Sequence, residues 1–279
     1  MFIIIKEKTL KRPMVSFVIL SNIIFLPLFL LVGATRMLGL PSIVFDTMLC
    51  ISSWSSTFAF VILFKRIYPG KNFIQYVKDK FKTKLKFSVI IVAIIIQVLI
   101  FVLIMFILSS KNNGVGSIFA ISSFEMLIYF FFKNLLAGPL GEELGWRGFA
   151  LNELQKKHTP LISALIVGFW WGTWHLTIWF TTGFMGIDLI KYIVFFMICV
   201  ISVTIIMTAF YNLNKNLLIP IIIHQLFNFL TGIINGDLID IIMYCAILYF
   251  VVAVILIVIN PKKVLYGKKN IRISYMEKR

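Results

Sequence analysis

The sequence predicts an all-α, polytopic membrane protein of eight transmembrane helices. Three observations carry this reading. Of the 279 residues, 60% are hydrophobic and only 14% charged, whereas soluble domains carry about a quarter charged residues. The apolar residues fall in runs of the length, roughly 20 residues, that a helix needs to cross a hydrocarbon core of about 30 Å. Lysine and arginine, finally, segregate onto alternate sides of those runs.

The runs cover residues 14–34, 43–64, 87–109, 118–137, 161–181, 189–211, 216–235 and 238–259. The first follows a basic N-terminal segment but is longer than the apolar region of a secretory signal, so it is expected to stay as an anchor. With the N-terminus placed inside, the inner segments hold 23 Lys and Arg, and the outer loops hold only Arg36 and Lys111. That bias predicts a multi-pass protein of the cell membrane with both termini cytoplasmic. The net charge of +16 then reflects basic loops that orient the chain and meet anionic lipid. A nucleic-acid partner is not expected, because the basic residues flank apolar spans and form no patch on a soluble domain. In the inner loop, Phe73, Val77, Phe81 and Leu85 recur every fourth residue among lysines, predicting an amphipathic helix over 73–87 on the inner leaflet. Cys50, Cys199 and Cys245 are an odd number inside apolar runs and are read as packing residues.

Ionisable groups within the spans are the candidates for function, since each costs at least about 2.5–3.5 kcal/mol at mid-bilayer. The stretch GEELGWRG, 141–148, places Glu142, Glu143 and Arg147 just after a Gly138-Pro139 break. Proline suits the first turn of a new helix, and acids are favoured there by the helix dipole. Glu143 and Arg147 stand at i, i+4 and can pair. Glu142 is out of that register and is left to face a cavity. By themselves these three residues would be an ordinary charged loop end. Two of the three histidines also lie deep in spans: His175, and His224, which shares a helix face with Asn228. A lone buried histidine usually links two helices. Two of them with an amide and a carboxylate supply the base, proton carriers and oxyanion donors that peptide hydrolysis requires. His158 sits in a loop beside Lys156 and Lys157 with no evident role. Lys133 is expected to snorkel toward the inside, and Asp46, Asp188, Lys191 and Asp240 to reach the interface.

The order EExxxR (Glu142, Glu143, Arg147), aromatic-xxx-His (Trp171, His175) and HxxxN (His224, Asn228) resembles the CPBP intramembrane proteases. That family includes the type II CAAX prenyl endopeptidases and bacterial proteins of the Abi and bacteriocin-immunity group. The likeness covers roughly residues 125–235. One departure is Trp171, where the family usually has phenylalanine. The resemblance implies an eight-helix fold with an intramembrane cavity open to the cytoplasm. It also implies that Glu142 with His175 activates water, that His224 and Asn228 stabilise the oxyanion, and that Arg147 orients Glu143 or its helix. Residues 1–124 would then carry the first three helices, the amphipathic loop and the start of the fourth helix. Residues 125–235 would form the catalytic core, and 236–279 the last helix and a basic tail.

The expected function is an intramembrane endopeptidase acting on a membrane-associated peptide or protein. A catalytically idle immunity or scaffold protein of the same fold is the alternative. A transporter is less favoured, because no inverted repeat and no polar stripe is present. No cofactor is expected. Were a metal present, it would be zinc on Glu142, His175 and His224, but HExxH is absent and no acidic partner for either histidine is visible in the sequence. His175 lies about 22 Å of helix beyond Pro160, and His224 about 12 Å beyond Asn216. For the two to meet, the fifth helix must begin outside the hydrocarbon near Pro160.

Overall fold

The computed structural model describes residues 11–111, 119–121 and 123–266. These are helical almost throughout, apart from one isolated β-bridge between Phe119 and Ile234. The helices are α1 (Pro13–Met37), α2 (Ser42–Ser53), α3 (Ser55–Ile67), α4 (Phe73–Phe81), α5 (Phe87–Lys111), α6 (Phe124–Leu136), α7 (Pro139–Glu143), α8 (Asn152–Leu154), α9 (Pro160–Trp174), α10 (Leu176–Trp179), α11 (Gly186–Asn214), α12 (Leu218–Gly232) and α13 (Leu238–Ile259). A π-helix, Leu144–Leu151, joins α7 to α8.

Five segments are long and apolar enough to cross a membrane: Pro13–Met37, Ser42–Ile67, Phe87–Lys111, Gly186–Asn214 and Leu238–Ile259. They coincide with five of the eight predicted runs. The other three runs are occupied by shorter apolar helices, α6, α9 and α12. The helix predicted over 73–87 stops at Phe81, so Leu85 follows it as irregular chain and packs on the core. Asn72 caps α4, its side chain accepting from the Gln75 N–H, as a helix start in a polar loop requires.

Hydrogen bonds tie the inter-helix segments into two ends. At the lysine-rich end the Lys80 carbonyl accepts from Leu217 N–H, Asn214 meets the Lys84 carbonyl, and Leu161 N–H meets the Leu265 carbonyl. At the opposite end Lys111 pairs with Asp240, and Ala120 N–H donates to the Ile233 carbonyl.

Helix α11 is the central element and packs against both α9 and α13. Gly168 permits the α9–α11 approach, since a Cβ there would stand 3.0 Å from Ile201 Cα. Small residues serve helix contacts in lipid in this way. Gln97 on α5 is fully buried and receives the Tyr249 hydroxyl of α13, which meets one of its polar demands.

The segment 141–160 was expected as an inner segment entered by a new helix from Pro139, and the structure extends that helix further than a loop allows. The chain remains helical from Pro139 to Leu154. The Gly138-Pro139 break does end α6, and Trp54 Nε1–H donates to the freed Leu136 carbonyl at 2.9 Å. Pro139 then starts a second helical stretch, whose π turn displaces carbonyls from the α register. Asn152 Nδ2 takes the Arg147 and Gly148 carbonyls, and the Tyr76 hydroxyl donates to Gly148 O. Broken backbone at membrane depth survives only with such partners. Lys133 does not snorkel to the inside: it pairs with Asp46 of α2 at 2.9 Å, and Tyr129 also donates to Asp46.

Candidate active site

Three helix breaks meet near mid-bundle and carry the site. Trp54 separates α2 from α3, Gly138 separates α6 from α7, and His175 separates α9 from α10. Glu142, His175, His224 and Asn228 line one cavity of about 220 Å³, together with Trp171, Ser52 and Ser53. Glu143 and Arg147 lie behind this wall, both fully buried.

The adjacent carboxylates face different neighbours. Glu143 Oε1 accepts from Arg147 Nη1 at 2.8 Å, the pair that i, i+4 spacing predicts, and from His224 Nδ1 at 2.7 Å. Arg147 Nη2 donates to Thr204 Oγ1 at 3.0 Å, and its guanidinium lies 4.0 Å from the Trp171 ring centroid. Planar stacking with a fork of donors is chemistry that lysine cannot supply. Glu142 Oε2 accepts from Trp171 Nε1–H at 2.6 Å and the residue is 4% exposed.

The two histidines are held differently. At the end of α9 the His175 N–H turns to the Gly172 carbonyl, and the ring Nδ1 meets the Trp171 carbonyl at 2.7 Å. A carbonyl can only accept, so Nδ1 carries the proton and Nε2 keeps a lone pair in the neutral ring. His224 Nδ1 faces a carboxylate, so it too is the donor. Both rings stand edge-on to Trp171, with centroids at 5.7 and 5.0 Å. The sequence showed no acidic partner for a histidine; Glu143 is that partner for His224. Asn228 Nδ2 lies against Gly138, where a Cβ would stand 2.9 Å from it and 3.9 Å from Glu142 Oε1.

Sequence reasoning did not find the roles of Gly138, Thr204 or the Trp171 indole N–H in holding these groups. Thr204 sits in an unbroken apolar run and leaves no signal. Trp171 was visible as a departure from the motif, and that departure is what adds a donor to Glu142. The cavity's lining residues Phe29, Leu49, Ile178 and Phe196 lie on the half of the bundle away from the lysine-rich end. Toward the lysine-rich end, Trp146, Phe149, Phe17 and Phe60 pack with no exposed surface. Among the described residues no three His, Cys, Asp or Glu groups gather at metal-holding spacing.

Comparison with known proteins agrees with the three motifs. Residues 124–230 match the family model described as type II CAAX prenyl endopeptidase, Rce1-like. All six site residues fall inside that match. The chain is 28% identical over 144 residues to the CAAX prenyl protease 2 of Methanococcus maripaludis, an alignment spanning 48% of this chain and 51% of the relative. The chain thus spans about half the length of the curated relative it matches. The segment 124–230, which carries every residue of the site, is thus similar to the Rce1-like, type II CAAX prenyl endopeptidase family.

Proposed function

We propose that the chain is an intramembrane endopeptidase that hydrolyses a peptide bond in a membrane-associated peptide or protein. The observation that carries the reading is the convergence of Glu142, His175, His224 and Asn228 on one cavity. The proposed setting is a cell membrane crossed eight times, with both termini cytoplasmic and the basic loops against anionic lipid.

In the proposed reaction Glu142 takes a proton from water, and the oxygen adds to the scissile carbonyl carbon. His175 accepts a hydrogen bond from the same water through its Nε2 lone pair. The developing oxyanion receives the Asn228 amide N–H. His224 can donate to it only from Nε2, with its second proton held by Glu143, which makes Glu143 and Arg147 positioning residues for His224. Each oxyanion donor is typically worth about 3 kcal/mol of barrier. Collapse of the adduct breaks the C–N bond, and the proton held by Glu142 passes to the leaving amine. No step uses a metal.

The test is cleavage of a membrane-embedded peptide library by the reconstituted chain. Wild type cuts, Glu142→Gln does not, and activity survives chelator in protein free of zinc by elemental analysis. Equal cleavage by Glu142→Gln overturns the assignment, and loss in chelator restored by zinc overturns the metal-free step.

A further inference from the structure

We infer that the cavity admits its substrate from the face of the membrane opposite the lysine-rich loops, so that the substrate is a polypeptide segment presented from the extracytoplasmic side. The inference rests on the hydrolase reading for the word substrate, and on geometry alone for the direction.

The direction follows from how far along each helix the lining residues sit. Phe25 is 12 residues from either end of α1, at its midpoint, and Phe29 lies four residues further from the basic end. Leu49 is seven residues from the start of α2, about 10 Å from the non-basic end. Val200 is midway along α11, and Phe196 lies 18 residues, about 27 Å, from its basic end at Asn214. Ile178 lies beyond the His175 break. The cavity therefore runs from mid-depth, where Glu142 lies at its floor, into the non-basic half. Several of its walls, including Phe29, Leu49 and Ile178, are only partly buried.

Below Glu142 the other half is closed twice. The first closure is the buried layer of Trp146, Phe149, Phe17 and Phe60, with Phe17 edge-on to Trp146 and Phe60 stacked on Phe149. The second is α4, docked by the Tyr76 hydroxyl on Gly148 O and by Phe60 and Phe64 against Phe73 and Tyr76. The amphipathic helix is thus a plug beneath the π-helix. The positive-inside rule makes the plugged end cytoplasmic, so the cavity meets the other side. The upper walls are aromatic or aliphatic, and among the described residues no lysine or arginine lines the cavity. Such a chamber suits apolar side chains flanking an internal peptide bond.

The experiment reads access without needing catalysis. Cys50, Cys199 and Cys245 are replaced by alanine, and single cysteines are placed at Phe29, at Leu49 and, as the basic-side marker, at the exposed Lys78 of α4. A charged, membrane-impermeant thiol reagent is applied to intact cells and to inverted vesicles. Phe29→Cys and Leu49→Cys are expected to react at least tenfold faster in intact cells than in inverted vesicles, and Lys78→Cys the reverse. Reaction of the cavity cysteines from the same side as Lys78→Cys, or from neither side, overturns the inference. Two cavity positions guard against one variant failing to fold. A chain that labels as expected yet cleaves nothing leaves the direction standing and sinks the hydrolase reading.

Discussion

The Glu143–Arg147 pair offers the sharpest energetic prediction. Both side chains are fully buried and their charged atoms stand 2.8 Å apart. At an effective dielectric constant of about 20, Coulomb's law gives a gross attraction of about 6 kcal/mol at that distance. Desolvation of two ions offsets much of it, so the pair as a whole contributes little beyond an apolar substitute. Removing one partner is different, because the other is left charged and buried, at a cost of about 3–5 kcal/mol. Arg147→Met should cost that amount in reversible unfolding in mixed micelles. Glu143→Gln should cost a similar amount, although its amide oxygen can still accept from His224. The double variant leaves no uncompensated ion and should lie within about 2 kcal/mol of wild type, a coupling of about 3 kcal/mol or more. Additive losses, with coupling under about 1 kcal/mol, would refute the claim that these two charges neutralise each other behind the cavity wall.

Three further outcomes follow from the same geometry. Gly138→Ala drives a Cβ into the Asn228 amide and should lower kcat/KM about 10²–10³-fold, the worth of one oxyanion donor. Gly33→Ala, with nothing within 4 Å of its would-be Cβ, should leave kcat/KM unchanged. Trp171→Phe keeps an aromatic face for Arg147 but deletes the donor to Glu142. Loss of a charge-assisted bond of about 1.5–3 kcal/mol predicts a fall in kcat/KM of about 10- to 100-fold with thermal stability little changed, and full activity would refute it. On α4, burial lowers the Lys80 ammonium from its ordinary 10.5 to about 8. The undocked state binds the extra proton, so docking of α4 strengthens as pH rises from about 8 toward 10.5. Hydrogen-exchange protection of 73–81 should therefore increase between pH 7 and 9.5, and Lys80→Met should abolish the increase.

Much of the scaffold was legible because lipid imposes a simple rule. A long apolar run has one solution, so α1, α5, α11 and α13 stand close to the predicted boundaries. Charge asymmetry likewise sorted the loops into two ends. What could not be read were the places where the chain breaks a rule locally. Residues 141–160 carry three glycines and several charges, the composition of a loop. The structure uses Gly141 and Gly145 as close-approach points, where a Cβ would meet Trp54 or Ser56 within about 3 Å, and keeps the segment helical through π geometry. Spacing along one helix gave the Glu143–Arg147 pair correctly. The partners of that pair across helices, Thr204 and His224, depend on packing angles that no spacing encodes. The position of the cavity along the membrane normal was invisible for the same reason: it is fixed by where three breaks coincide in depth.

The most direct measurement is comparative mass spectrometry of membrane peptides from cells carrying wild-type chain and cells carrying Glu142→Ala. The account predicts a defined set of peptide ends, with apolar residues beside the cut, that is present with wild type and missing with the variant. Identical peptide ends from the two strains, with both proteins present at equal levels, would contradict it.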